Sequence, residues 1–239
     1  MMKVMKRKVL LLVATIYSLA CLSGCSGGYT EEDCIAQVKG NIDEIYLGIF
    51  DADYLESVGI TEAEAKKFYL DGIEAEAEYF ANYWGIVDSN YNETCADLNQ
   101  DLKAEIIALY KEIYNHTKYE VVSAKELDDG SFSVKITVVP INIMETAMNL
   151  YVNDGYEPLN DFWKKYETTD FATMTDEEYM SYTNEYGHMI VRLVNDQLPD
   201  LGYMEQKSQI IQISEDDDGY MTINQDDWNI FDSYVIYYP

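Results

Sequence analysis

Phe132, Val134, Ile136 and Val138 alternate with Ser133, Lys135 and Thr137, and a strand with that pattern has one face that it cannot leave in water. Asp128-Asp129-Gly130 lies just upstream, preceded by a second β-prone run from Tyr119 to Ala124. An Asp-Gly pair between two such runs is a strong hairpin signal, because glycine supplies the left-handed backbone that a tight turn needs. Pro140 closes the second strand, since proline has no N–H to give to a ladder. Two strands alone do not hold together in water, so the Phe132 face needs a cover from elsewhere in the chain. A second hairpin is predicted near the end, where Gln209 to Ser214 and Tyr220 to Asn224 flank Asp216-Asp217-Asp218-Gly219.

Helices can provide the cover. Thr30 with Asp33 three residues on is a capping-box variant, and Ile35, Val38, Ile42, Ile45 and Ile49 follow at helical spacing until Gly48 to Asp53 ends the helix. Thr61 and Glu64 open a second helix, which carries Ala65, Phe68, Ile73, Ala77, Phe80 and Trp84 and stops near Gly85. A polar stretch from Asp88 to Asn99 leads to a third, marked by Leu102, Ile106, Leu109 and Ile113. Between the hairpins the spacing resumes through Ile143, Ala147, Leu150 and Tyr151, breaks at Asn153-Asp154-Gly155, and returns with Leu159, Phe162, Trp163 and Tyr166. Thr175 and Glu178 box a further helix with Tyr179, Tyr182, Tyr186, Met189 and Leu193 on one stripe, ending before Pro199. A short last segment holds Trp228, Phe231 and Val235. The expected class is α+β, helices packed on antiparallel hairpins. Helices followed by an Asp-Asp-Gly hairpin occur twice, with Gly130 and Gly219 89 residues apart. Two similar halves, 30–140 and 141–239, are one reading of that recurrence, and repetition of a common turn is the other.

The N-terminus gives an address. Lys3, Lys6, Arg7 and Lys8 precede an apolar run from Val9 to Leu22 broken only by Thr15, Tyr17 and Ser18. The run is shorter than the ~20 residues of a membrane span and suits a signal peptide. It ends in Leu22-Ser23-Gly24-Cys25, which looks like the lipobox of bacterial lipoproteins. Residues 1–24 are then a signal peptide, Cys25 is the lipidated (palmitate-bearing) residue, 25–29 is a tether, and 30–239 is the ectodomain. The expected place is extracytoplasmic, lipid-anchored to the cell membrane. Cys21 leaves with the signal.

Cleavage would remove four of the 16 basic residues and none of the 44 acids, leaving 12 against 44 and a formal charge of −32. Such a surface repels nucleic acid and anionic headgroups. It does not indicate disorder here, because 48% of residues are hydrophobic, 13% are aromatic and 22 are tyrosines, enough for a core. Outside the cytosol Cys34 and Cys95 can pair as a disulfide, or can remain as two thiols, since Cys34 lies on an apolar stripe. Neither a Cys-x-x-Cys motif nor a His-plus-Cys spacing is present, so no zinc site is expected.

Candidate sites are few. His116 falls at a helix end, where an imidazolium suits the macrodipole. His188 and Arg192 share a helix face at i, i+4, and Arg192 is the ectodomain's only arginine. They read as an anion-contacting pair or as a surface ion pair with Glu185 or Asp196. An EF-hand-like alignment on Gly219 puts Ser214, Asp216, Asp218 and Gln225 at ligand positions and lacks two of the acids that calcium needs, so a hairpin turn explains those acids better. Asn92 and Asn115 head Asn-x-Thr triplets, read as coincidence in a bacterial lipoprotein. The tyrosines at 179, 182 and 186 read as core or as a stacking platform for glycans. Nucleophile elbows, zinc-protease motifs and P-loops are missing, so no catalytic residue, metal or cofactor is expected.

The lipobox, Ile45-Tyr46-Leu47-Gly48-Ile49-Phe50, the segment from Glu74 to Trp84, Leu109-Tyr110-Lys111-Glu112-Ile113-Tyr114 and Lys118-Tyr119-Glu120-Val121 are distinctive together. With the hairpin ending in Val139-Pro140-Ile141-Asn142, they resemble a domain-of-unknown-function group of uncharacterised lipoproteins from Gram-positive anaerobes. That resemblance implies surface display and assigns no chemistry. A looser likeness, to NTF2-like or cystatin-like folds, is one of fold only. Two functional readings follow. The first is a non-catalytic surface module that binds a small molecule, glycan or protein between sheet and helices. The second is a hydrolase or isomerase with an NTF2-like pocket and a carboxylate base.

Overall fold

The computed structural model describes residues 28–87, 98–153, 155–217 and 221–239. Helices α1 (Glu31–Ile42), α2 (Ala52–Val58), α3 (Glu62–Tyr83) and α4 (Gln100–Asn115) precede strands β1 (Lys118–Glu126) and β2 (Phe132–Val139). Helices α5 (Ile143–Val152), α6 (Glu157–Tyr166) and α7 (Asp176–Asn195) come next, then β3 (Lys207–Glu215), β4 (Met221–Ile223) and α8 (Gln225–Val235). The protein is therefore α+β.

All four strands form one antiparallel sheet in the order β1-β2-β3-β4, so the two hairpins lie side by side. Val134 faces Ile211 and Phe132 faces Ile213 across the join, and all four are at most 3% exposed. The outer face carries Ser133, Lys135 and Thr137 beside Ser208, Ile210 and Gln212, the usual arrangement of an antiparallel sheet covered on one side. In β1 the pairing slips between Val121 and Ser123. The bulge at Val122 reverses which residues point inward: Tyr119 and Val121 before it, Ala124 after it. Val122 itself is 43% exposed.

Helices α1 and α8 lie on the sheet, and α3 and α4 pack against each other and against the turn that ends α1. That turn is a π-helical stretch, Asp43–Leu47, closed by a bond from the Gly48 N–H to the Asp43 carbonyl. Its extra residue moves the stripe. Cys34, Val38, Ile42 and Tyr46 are the fully buried positions, whereas Ile45 is half-buried and Ile49, expected inside, is 51% exposed. Four of the tyrosines go into a chain of ring contacts that links separate helices. It runs from Phe231 through Tyr46, Tyr114, Tyr110, Phe80 and Trp84 to Tyr151, with centroids 5.2–6.2 Å apart. Three reciprocal capping boxes start α1, α3 and α7 at Thr30, Thr61 and Thr175.

Candidate functional site

A hollow of about 400 Å³ lies where α1, its π turn and α2 meet. Gly40 makes it, because the Tyr54 ring crosses α1 so closely that a Cβ at Gly40 would stand 2.1 Å from Tyr54 Cδ2. Asp51 caps α2 by accepting from the Tyr54 N–H at 2.9 Å, which sets that ring as one wall. Tyr29 forms another, with its hydroxyl donating to Gln37 Oε1 at 2.8 Å and its ring edge-on to Phe132. Asp43, 7% exposed, accepts from both Lys39 Nζ and the Tyr119 hydroxyl. Burial raises the Tyr119 phenol, and the bond and charge of Asp43 raise it further, so Tyr119 stays a donor. Asp33 and Asp53 line it too, with Lys39, Ala36, Ile49 and Ser57. The capping bonds use Asp33 Oδ2 and Asp51 Oδ1, which leaves one oxygen of each, and all of Asp53, open to a ligand. Three carboxylates with spare acceptors and two tyrosine faces suit a group that is cationic at one end and apolar beside it. Behind the wall, Glu44 is 2% exposed, and burial raises its carboxyl to about 7 although a bond from Tyr54 opposes this.

His188 and Arg192 line a shallower groove of about 340 Å³ between α4 and α7, over Ala108, Leu109 and Val191. His188 Nδ1 is 2.8 Å from Glu105 Oε2 on α4, a partner that spacing along one helix could not reveal. Arg192 Nε is 3.8 Å from Asp196, one of its two expected partners. The other, Glu185, is held by Lys165 Nζ at 2.6 and 2.7 Å and by the Tyr166 hydroxyl at 2.7 Å. His116 is the C-cap residue of α4, with Glu112 3.5 Å from its ring and its carbonyl accepting from the Tyr203 hydroxyl.

Cys34 is fully buried, and burial with the nearby charges of Asp33 and Glu31 pushes its thiol up to about 12. Cys95, Cys25, Asn92 and the tip of the second hairpin at Asp218 and Gly219 lie outside the described residues. Among the described residues, no group of three or more His, Cys, Asp or Glu side chains is placed to hold a metal ion, and no helix is long and apolar enough to cross a membrane. The α7 tyrosines are graded rather than uniformly core: Tyr186 is buried, Tyr182 is half-buried and Tyr179 is 40% exposed.

No family model matches the sequence, and no curated protein matches it. The fold is similar to that of a candidate lipoprotein, YcdA from Bacillus subtilis subsp. subtilis strain 168, with a TM-score of 0.53 at 14% sequence identity. The match covers 84% of this chain and 55% of that one, so this chain spans about half the length of YcdA and shares its fold.

Proposed function

We propose that the chain is an exported lipoprotein, anchored through Cys25, whose ectodomain is a non-catalytic binding module. The observation that supports a site away from the sheet is the packing of the sheet's inner face. Val134, Ile136, Val138, Ile211 and Ile213 are at most 1% exposed, so apolar side chains fill the space that a pocket between sheet and helices would need. The hollow at Asp43 is the binding site in this reading, and a small organic cation, an amine or a guanidine with an apolar body, is the ligand class. The signal sequence, the lipobox and a fold like that of a candidate lipoprotein support the address.

Titration of the ectodomain with spermidine and with N-acetyl-arginine methyl ester tests the site. Asp53→Asn together with Asp51→Asn, which keeps a capping oxygen, is expected to weaken binding at least tenfold. Glu177→Gln on α7 is expected to leave it unchanged. Equal losses in both variants would mean diffuse attraction to an acidic chain and no site. One observation favours the hydrolase reading. Glu105 engages His188 Nδ1 in a groove with Arg192, leaving Nε2 as a potential base. Among the described residues no Ser, Thr or Cys lines that groove, so the route would need water as nucleophile. Ester hydrolysis lost in His188→Gln would establish it, and activity indistinguishable from buffer would dismiss it.

A further inference from the structure

Among the described residues, all three exposed aromatic side chains stand in one place. Trp163 on α6 is 36% exposed, Phe171 in the 3-10 turn before α7 is 45% exposed, and Tyr179 on α7 is 40% exposed. Tyr182 joins them, with its ring centroid 4.9 Å from Phe171 and 6.4 Å from Tyr179. Tyr186 continues the row 6.4 Å beyond, within 7° of parallel to Tyr182, and meets Trp163 at 5.6 Å. A chain that houses most of its aromatics inside leaves apolar ring area in water at this one place.

The surroundings restrict what can cover the rings. Glu157, Asp161, Glu167, Asp170, Asp176, Glu177 and Glu178 lie on the same elements, against Lys164 and Lys165. That field rejects anionic lipid and anionic polymers. The polar rim is already fixed: Lys165 and the Tyr166 hydroxyl hold Glu185, with burial raising its carboxyl and these two bonds pulling it below the ordinary value. Successive ring faces beside fixed hydroxyl, carboxylate and ammonium groups match a ligand with apolar faces and many hydroxyls. We propose that the row of rings formed by Phe171, Tyr179 and Tyr182, with Trp163 at its far end, is a stacking platform for an uncharged saccharide chain. The platform extends the binding-module reading and does not depend on the hollow at Asp43.

The test is titration of the intact ectodomain with an N-acetylglucosamine tetramer and with cellotetraose, followed by tryptophan fluorescence and calorimetry. Phe171→Ala and Tyr179→Ala are each expected to weaken binding at least tenfold without moving the melting temperature by more than a few degrees. Tyr179→Phe, which keeps the ring, should bind within about twofold of the parent. Spermidine binding should be the same in all of them, so the two sites fail or succeed separately. Absence of binding by either sugar overturns the proposal, as does binding that both alanine variants retain. So does a patch whose truncation instead abolishes self-association or binding to phosphatidylcholine vesicles, because the rings would then belong to a second copy or to a membrane.

Discussion

Glu44 is held where ionisation is expensive. Burial raises its carboxyl from 4.5 to about 7, so the folded chain binds a proton there that the unfolded chain has released. Between those values stability falls as pH rises, because the native state alone carries the extra proton, and above about 7 the loss is complete. The shift corresponds to a penalty on the order of 3–4 kcal/mol at pH 8. Glu44→Gln keeps the shape and removes the charge. Its melting temperature, relative to the parent, should be higher at pH 8 than at pH 4.5 by a margin that develops between those values. A difference independent of pH would show that Glu44 is not the group responsible. The neighbouring Asp43, on the same π turn, accepts from Lys39 and from the Tyr119 hydroxyl.

The contact between α1 and α2 depends on a missing side chain. Alanine at position 40 would gain about 1 kcal/mol of helix propensity, but its Cβ would stand 2.1–2.5 Å from three atoms of the Tyr54 ring. Overpacking of that kind costs about 1–3 kcal/mol, so Gly40→Ala is expected to lower stability and to open the hollow. Adding Tyr54→Ala should recover part of the loss through relief of the clash, and a double variant that is simply additive would contradict the contact. At this scale the sequence was informative wherever signals were local. The Thr30, Thr61 and Thr175 boxes, the Asp128-Asp129-Gly130 turn and the Phe132 alternation each name their own partners within a few residues. It was silent where the signal was short or the partner distant. Helix α2 has only seven residues, although Asp51 and Gly59 bracket it. Helix α8 shows in the sequence only as Trp228, Phe231 and Val235, too few apolar positions to mark its extent, and its N-cap is Asn224. The π turn leaves no composition mark, so Ile49 was expected inside and Tyr46 took the core position. The Glu105–His188 contact and the Asp43–Tyr119 bond cross 83 and 76 residues, distances over which spacing carries no information.

For the whole molecule the dominant quantity is charge. The chain carries a formal −28, which becomes −32 with the cleavage proposed before Cys25, and such a charge repels itself, while the Debye length shortens from ~10 Å at 0.1 M salt to ~3 Å at 1 M. The ectodomain should melt at a higher temperature in 1 M sodium chloride than in low salt, as scanning calorimetry would report. An unchanged or lower midpoint would mean that the acids are already compensated. The proposed address depends on one thiol. Cys25→Ser removes the acyl acceptor, so radiolabelled palmitate should no longer enter the protein, and persistent label would end the lipoprotein assignment. The proposed anchoring would bring a further requirement, since tethering concentrates copies side by side. Strand β1 lies at the margin of the sheet and offers nine residues of backbone to any neighbour. The irregularity at Val122 interrupts that run of donors and acceptors, and Lys118, Glu120, Lys125 and Glu126 set exposed charges along it. Under the proposed anchoring, crowded copies would meet a kinked, charged border instead of a continuous template, and the same displaced residue that re-aims the inner side chains would hinder molecules on one surface from zipping into fibres.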